Sequence, residues 1–67
     1  MQKATDFKPG DRVRLISMND PHRKTPVGIE GTVISAVGEP INVVNVDWDD
    51  GFGLNPCLDE DVIIKVG

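Results

Sequence analysis

The chain has 67 residues, 39% of them hydrophobic, with 11 acidic and 7 basic side chains and a net charge of −4. A domain of this size buries only about 60% of the surface its unfolded chain exposes, so there is material for one core and no second domain. A single cysteine, Cys57, excludes an intramolecular disulfide and a four-thiolate zinc site, and no apolar run approaches the roughly 20 residues of a membrane helix.

Residues 1–6 lack the apolar segment of a secretion leader and are expected to form a disordered N-terminus, with the domain over 7–67. Together with the lone cysteine, this predicts a soluble, cytoplasmic protein with no membrane association. Lys8-Pro9-Gly10-Asp11 is turn chemistry. Behind it Arg12, Val13, Arg14 and Leu15 alternate charged and apolar, the period of a strand with one buried face, over about Asp11–Ser17. Residues 18–27 form a polar loop, because Pro21 and Pro26 fix φ and lack donors. Gly28-Ile29-Glu30-Gly31 turns into a second strand over about Gly31–Val37, and Gly38-Glu39-Pro40 ends it. A third strand covers about Ile41–Trp48. Asp49-Asp50-Gly51 is a hairpin signal, Phe52–Pro56 reads as a short fourth strand, Cys57–Glu60 as a single 3₁₀ turn, and Asp61–Val66 as the closing strand.

These elements predict an all-β fold: a small barrel of about five short antiparallel strands with at most one 3₁₀ turn. Valine and isoleucine dominate the apolar content, which favours sheet, and the aromatics are only Phe7, Trp48 and Phe52. Parity places Val13, Leu15, Val33, Val44, Val46, Trp48, Leu54, Val62 and Ile64 inside, with Trp48 as the anchor. It leaves Ile41, Val43 and Ile63 outward or at the barrel ends. Gly31 and Gly51, at strand boundaries, are expected at positive φ.

Charge is unevenly distributed. Residues 1–24 carry a local +3, from six bases and three aspartates; residues 25–67 carry −7, from Lys65 and eight acids. Arg12 and Arg14 share the outer face of the first strand, and the following loop can bring His22, Arg23 and Lys24 beside them. This group is the candidate partner-binding site, suited to phosphate or to a partner's carboxylates. The alternative is that the arginines keep the face soluble and pair with Glu30 or Asp47. The acidic total and the scarcity of stacking aromatics disfavour nucleic acid. Asp47, Asp49 and Asp50 do not have the ligand spacing of a calcium loop and read as turn formers. Asp59-Glu60-Asp61 reads as a solvated cap. His22 and Cys57 alone make neither a zinc site nor a nucleophile with its oriented base, and Cys57 reads as a small buried apolar residue. No catalytic residue, metal site or cofactor site is predicted.

The order Pro9-Gly10-Asp11, Val13, Leu15, then Gly31-Thr32-Val33, then Val46-Asp47-Trp48-Asp49-Asp50-Gly51 and a final strand resembles SH3-like barrels, with Gly31-Thr32-Val33 similar to part of a KOW element. Phe7 through Ile16, Met18-Asn19-Asp20-Pro21, Gly31–Val33 and Val46–Gly51 together resemble a domain-of-unknown-function family of short bacterial and phage proteins. That resemblance spans about Phe7 to Val66 and implies a fold without an activity. More distantly, Gly10–Arg14, Pro21-His22-Arg23 and Gly31–Val33 are similar to the C-terminal domain of the nitrile hydratase β subunit. A small barrel protein of photosystem I and the variable chain of ferredoxin–thioredoxin reductase look alike in architecture. These relatives are accessory barrels that dock on a larger partner, an analogy of fold and not of site. The expectation is a non-enzymatic interaction or accessory module with a protein partner. A KOW-like nucleic-acid-associated domain is the alternative.

Overall fold

The computed structural model describes residues 2–19 and 27–67. The chain is all-β: β1 (Arg12–Ser17), β2 (Glu30–Val37), β3 (Val43–Trp48) and β4 (Val62–Lys65), preceded by one 3₁₀ turn, Ala4–Asp6. The four strands form one antiparallel sheet in the order β3-β2-β1-β4. The alternation of β1 is realised as read, with Val13 and Leu15 buried and Arg12 and Arg14 half-buried on the other face. β3 does the same with Val44, Val46 and Trp48. The indole nitrogen of Trp48 donates to the Leu54 carbonyl at 2.6 Å, so the ring is buried with its polar atom satisfied.

Among the described residues four strands form rather than about five. Residues 52–56 pair with no strand as a ladder. Beside β3 they offer the Pro56 carbonyl to Val44 N–H and the Asn55 side-chain oxygen to Val46 N–H, and Val43 forms an isolated bridge with Cys57. Pro56 has no N–H, and Asn55 uses a side chain where a ladder needs backbone. Leu54, expected inside, is only half-buried.

β4 reverses its expected parity. Ile63 is fully buried, whereas Val62 and Ile64 are 38% and 40% exposed. The register is the cause: Ile63 lies opposite Leu15, and directly opposed side chains share a face, so Ile63 follows Leu15 into the core. A register shift between Leu15 and Ser17 sets Val62 against Ser17. A second shift, between Val33 and Ser35, turns Ile34 outward and brings Ala36 opposite Val44.

The N-terminal segment, expected to fray, is packed in. Ala4 and Phe7 belong to the core with Leu58, and Ala4 N–H donates to Asn42 Oδ1 at 2.7 Å. Asn42 is the residue that ties the N-terminal segment to the turn before β4. It is 1% exposed at φ +55. Its Nδ2 donates to the Gln2 carbonyl and to Asp59 Oδ1, and its own carbonyl accepts Leu58 N–H.

The two glycines differ. Gly51 sits at φ +78, as its turn requires. Gly31 does not have positive φ; it is needed for space. A Cβ there would stand 2.7 Å from both the Asp47 carbonyl oxygen and Val46 Cγ1.

Candidate functional site

The two candidate arginines reach the surface because β1 parity points them away from Val13 and Leu15. Across the sheet, Arg12 lies opposite Thr32 and Arg14 opposite Glu30. Arg12 spans Thr32 diagonally: its Nη1 donates to Thr32 Oγ1 at 3.0 Å and to Asp49 Oδ1 at 2.9 Å, and its Nη2 to Asp49 Oδ2 at 2.6 Å. This is a two-pronged guanidinium–carboxylate pair. Arg14 donates to Glu30 Oε2 at 2.8 Å, and Glu30 Oε1 stands 3.7 Å from Arg12. Arg12 therefore pairs with Asp49, both arginines approach Glu30 as expected, and Asp47 pairs with neither of them. Hydrogen bonding from Arg12 holds the Asp49 carboxyl below its usual range, and the Asp49 bond in turn raises the Arg12 pKa. His22, Arg23 and Lys24 lie outside the described residues.

Asp11 makes its own turn. Its Oδ2 accepts Lys8 N–H at 2.9 Å, which lowers its pKa, and Lys65 Nζ stands 3.6 Å from the same oxygen. The Lys65 ammonium also lies 5.7 Å from the centre of the Phe7 ring, within cation–π range. Gly10, Asp11, Arg12, Lys65, Val66 and Gly67 line an open hollow of about 290 Å³.

The acidic segments serve the backbone. Asp50 Oδ1 accepts Phe52 N–H in the turn after β3. Asp59 and Glu60 are exposed, but Asp61 is buried and is no solvated cap: its two oxygens accept Asn19 N–H and Cys57 N–H, each at 2.9 Å. Cys57 is half-buried, its thiol 3.6 Å from the Ile41 carbonyl. Among the described residues no group of three His, Cys, Asp or Glu side chains is placed to hold a metal ion, and no helix is long and apolar enough to cross a membrane.

Sequence reasoning missed an apolar surface next to Arg14. Ile16 follows Arg12 and Arg14 on the outer side of β1, Ile64 lies opposite Arg14, and Val62 lies opposite Ser17. All three are exposed. Val27, 59% exposed, precedes Gly28, whose N–H bonds the Leu15 carbonyl. The signal was available: Val62 and Ile64 flank Ile63, and only the choice of β4 parity hid them.

No curated protein and no solved structure matches the chain. The profile of the family described as a domain of unknown function (DUF4314) matches residues 2–66. With all but its terminal residues covered, the chain belongs to the DUF4314 family.

Proposed function

We propose that this chain is a non-enzymatic interaction module: an SH3-like barrel of bacterial or phage origin that docks on a protein partner in the cytoplasm. The observation that carries this reading is the outer side of β1 and β4, where exposed Ile16, Val62 and Ile64 adjoin an arginine already matched by carboxylate. An apolar group rimmed by polar residues is the composition of a protein-docking surface. A nucleic-acid surface needs cations free to neutralise phosphate, and Arg12 and Arg14 are held by Asp49 and Glu30. The KOW-like alternative would therefore fall to the loop residues His22, Arg23 and Lys24.

Two measurements separate the readings. Quantitative mass spectrometry of proteins captured by wild type and by Ile16→Lys/Ile64→Lys is expected to show partners lost from the double variant. An unchanged set counts against docking at this face. Fluorescence anisotropy with short RNA and DNA is expected to give binding weaker than about 10⁻⁴ M at physiological salt. Tight, salt-sensitive binding that disappears in Arg12→Ala/Arg14→Ala promotes the alternative.

A further inference from the structure

We propose that the turn after β3 carries a self-modification site, where the Asp50 carboxyl closes on the Gly51 nitrogen and the peptide bond rearranges to isoaspartate. Asp50 is the only aspartate or asparagine in the sequence that precedes a glycine. The nucleophile is a backbone nitrogen, and glycine leaves it unshielded. Both residues are exposed, and a Cβ on Gly51 would meet nothing within 4 Å. The Asp50 side chain is folded toward that nitrogen. Its Oδ1 accepts Phe52 N–H at 2.9 Å, so the side chain closes a turn in place of a backbone carbonyl. A turn of this kind brings the carboxyl carbon over the peptide unit it encloses, and the nitrogen of that unit belongs to Gly51. Gly51 N–H donates to the Trp48 carbonyl at 3.0 Å. The hydrogen lies in the plane of the peptide. The bond therefore leaves the faces of the nitrogen open, and attack proceeds through a face.

Water is the one co-reactant. The Gly51 nitrogen bonds to Cγ of the protonated Asp50 carboxyl, the Cγ–OH bond breaks, and the amide proton leaves with the hydroxyl as water. The product is a five-membered cyclic imide. Water then adds to the main-chain carbonyl of Asp50 and breaks its bond to the Gly51 nitrogen. The chain now runs through Cβ and Cγ, and the former main-chain carbonyl is the free carboxylate. Hydrolysis at Cγ instead restores aspartate. The consequence reaches β3, because the main chain gains one carbon in the turn that sets residues 52–56 beside that strand. The Leu54 carbonyl accepts from the Trp48 indole, Asn55 Oδ1 from Val46 N–H and the Pro56 carbonyl from Val44 N–H. A lengthened turn also gives up the Gly51–Trp48 bond that closes it. Trp48 thus reports the change. None of the residues of the docking reading takes part, so failure here leaves that reading intact.

The full chain, incubated for weeks in mildly acidic buffer with and without urea, tests the proposal; isoaspartate is located by peptide mapping and by a methyltransferase specific for it. Isoaspartate should accumulate at position 50 and at no other aspartate, at least as fast in the folded chain as in urea. Asp50→Glu, whose carboxyl would have to close a six-membered ring, should lose the reaction. Gly51→Ala crowds the nitrogen and should slow it several-fold. If circular dichroism shows Gly51→Ala unfolded, Asp50→Glu and the comparison with urea carry the test, since Asp50→Glu alters only an exposed side chain. The modified chain, separated by chromatography, should keep its sheet signal and change its Trp48 emission. Isoaspartate that forms several times more slowly in the folded chain than in urea overturns the proposal, because the turn then protects the bond instead of preparing it. Isoaspartate spread over the other aspartates, or a modified chain with unaltered Trp48 emission, overturns it equally.

Discussion

Replacing Asn42 should cost this domain a large part of its stability, although Asn42 belongs to no strand and touches no candidate binding residue. Its side chain makes three hydrogen bonds, to Ala4 N–H, the Gln2 carbonyl and Asp59. Asn42→Ala leaves the Ala4 N–H without a partner beside a fully buried side chain. An orphaned buried donor costs about 1–3 kcal/mol. Alanine must also adopt φ +55, where a Cβ costs roughly 1–2 kcal/mol and asparagine is one of the few residues that settles readily. The loss is thus about 2–5 kcal/mol, against a total of about 3–10 kcal/mol for a domain of this length. Urea unfolding followed by Trp48 fluorescence gives the difference, provided the slope with denaturant is unchanged. Asn42→Gly removes the backbone strain and keeps the hydrogen-bond loss, so it should be about 1 kcal/mol milder than Asn42→Ala. Two results would refute the reasoning: Asn42→Ala within about 0.5 kcal/mol of wild type, which is the scatter of ordinary surface changes, or glycine and alanine variants of equal stability.

Gly31, inside β2, and Gly51, in the turn after β3, should separate by mechanism. Gly31→Ala drives a Cβ into the Asp47 backbone and should cost about 1–3 kcal/mol or more, whereas Gly51→Ala meets open space and carries only left-handed backbone strain of roughly 1–2 kcal/mol; equal losses in urea unfolding would contradict the close-approach account of Gly31. Acid should weaken the fold in a defined direction. Asp49 and Asp11 are held below their ordinary value of 3.8, chiefly by Arg12 and by Lys8 N–H respectively. A lowered folded-state pKa means the unfolded chain binds protons first, so this stability is present above the ordinary value and is lost as pH falls through the folded one. Asp49→Asn should therefore flatten the acid side of the stability profile at fixed salt, and an unchanged slope would remove the Arg12 pair from the account.

What the sequence made legible was whatever depends on local period. The alternation in β1 and β3 named Val13, Leu15, Val44, Val46 and Trp48 as core, and each is buried. β4 failed because four residues, Val62-Ile63-Ile64-Lys65, are apolar at both parities until Lys65, so only the pairing of Ile63 with Leu15 decides which side faces inward. The N-terminal segment reads as disordered because its polarity is all that a window of six residues shows. Its order comes from Asn42, 38 residues away from Ala4, and from Gln2 reaching Ile63 across 61 residues. Bonds of that span leave no periodic trace. Asp61 misleads for the same reason: as one of three consecutive acids it looks solvated, and only the fold brings Asn19 N–H to it.

The basic patch shows the same limit at the functional level, and there the outcome bears on which reading of function is favoured. Local charge divides the sequence into a basic first third and an acidic remainder, a pattern that would suit a phosphate surface if the halves folded apart. Sheet order prevents that. β1, which carries the arginines, lies next to β2, which carries Glu30, and the β3 turn carries Asp49 back to the Glu30 carbonyl through its own N–H. Both arginines thereby face carboxylates at 2.6–2.8 Å. Exposed pairs of this kind contribute little to stability, yet they set the cost of binding an anion, because a phosphate must first displace a carboxylate already in the two-pronged geometry it would use. Ile16 and Ile64 beside Arg14 have no such competitor. A partner docking at the apolar face, as proposed, would therefore displace no ion pair.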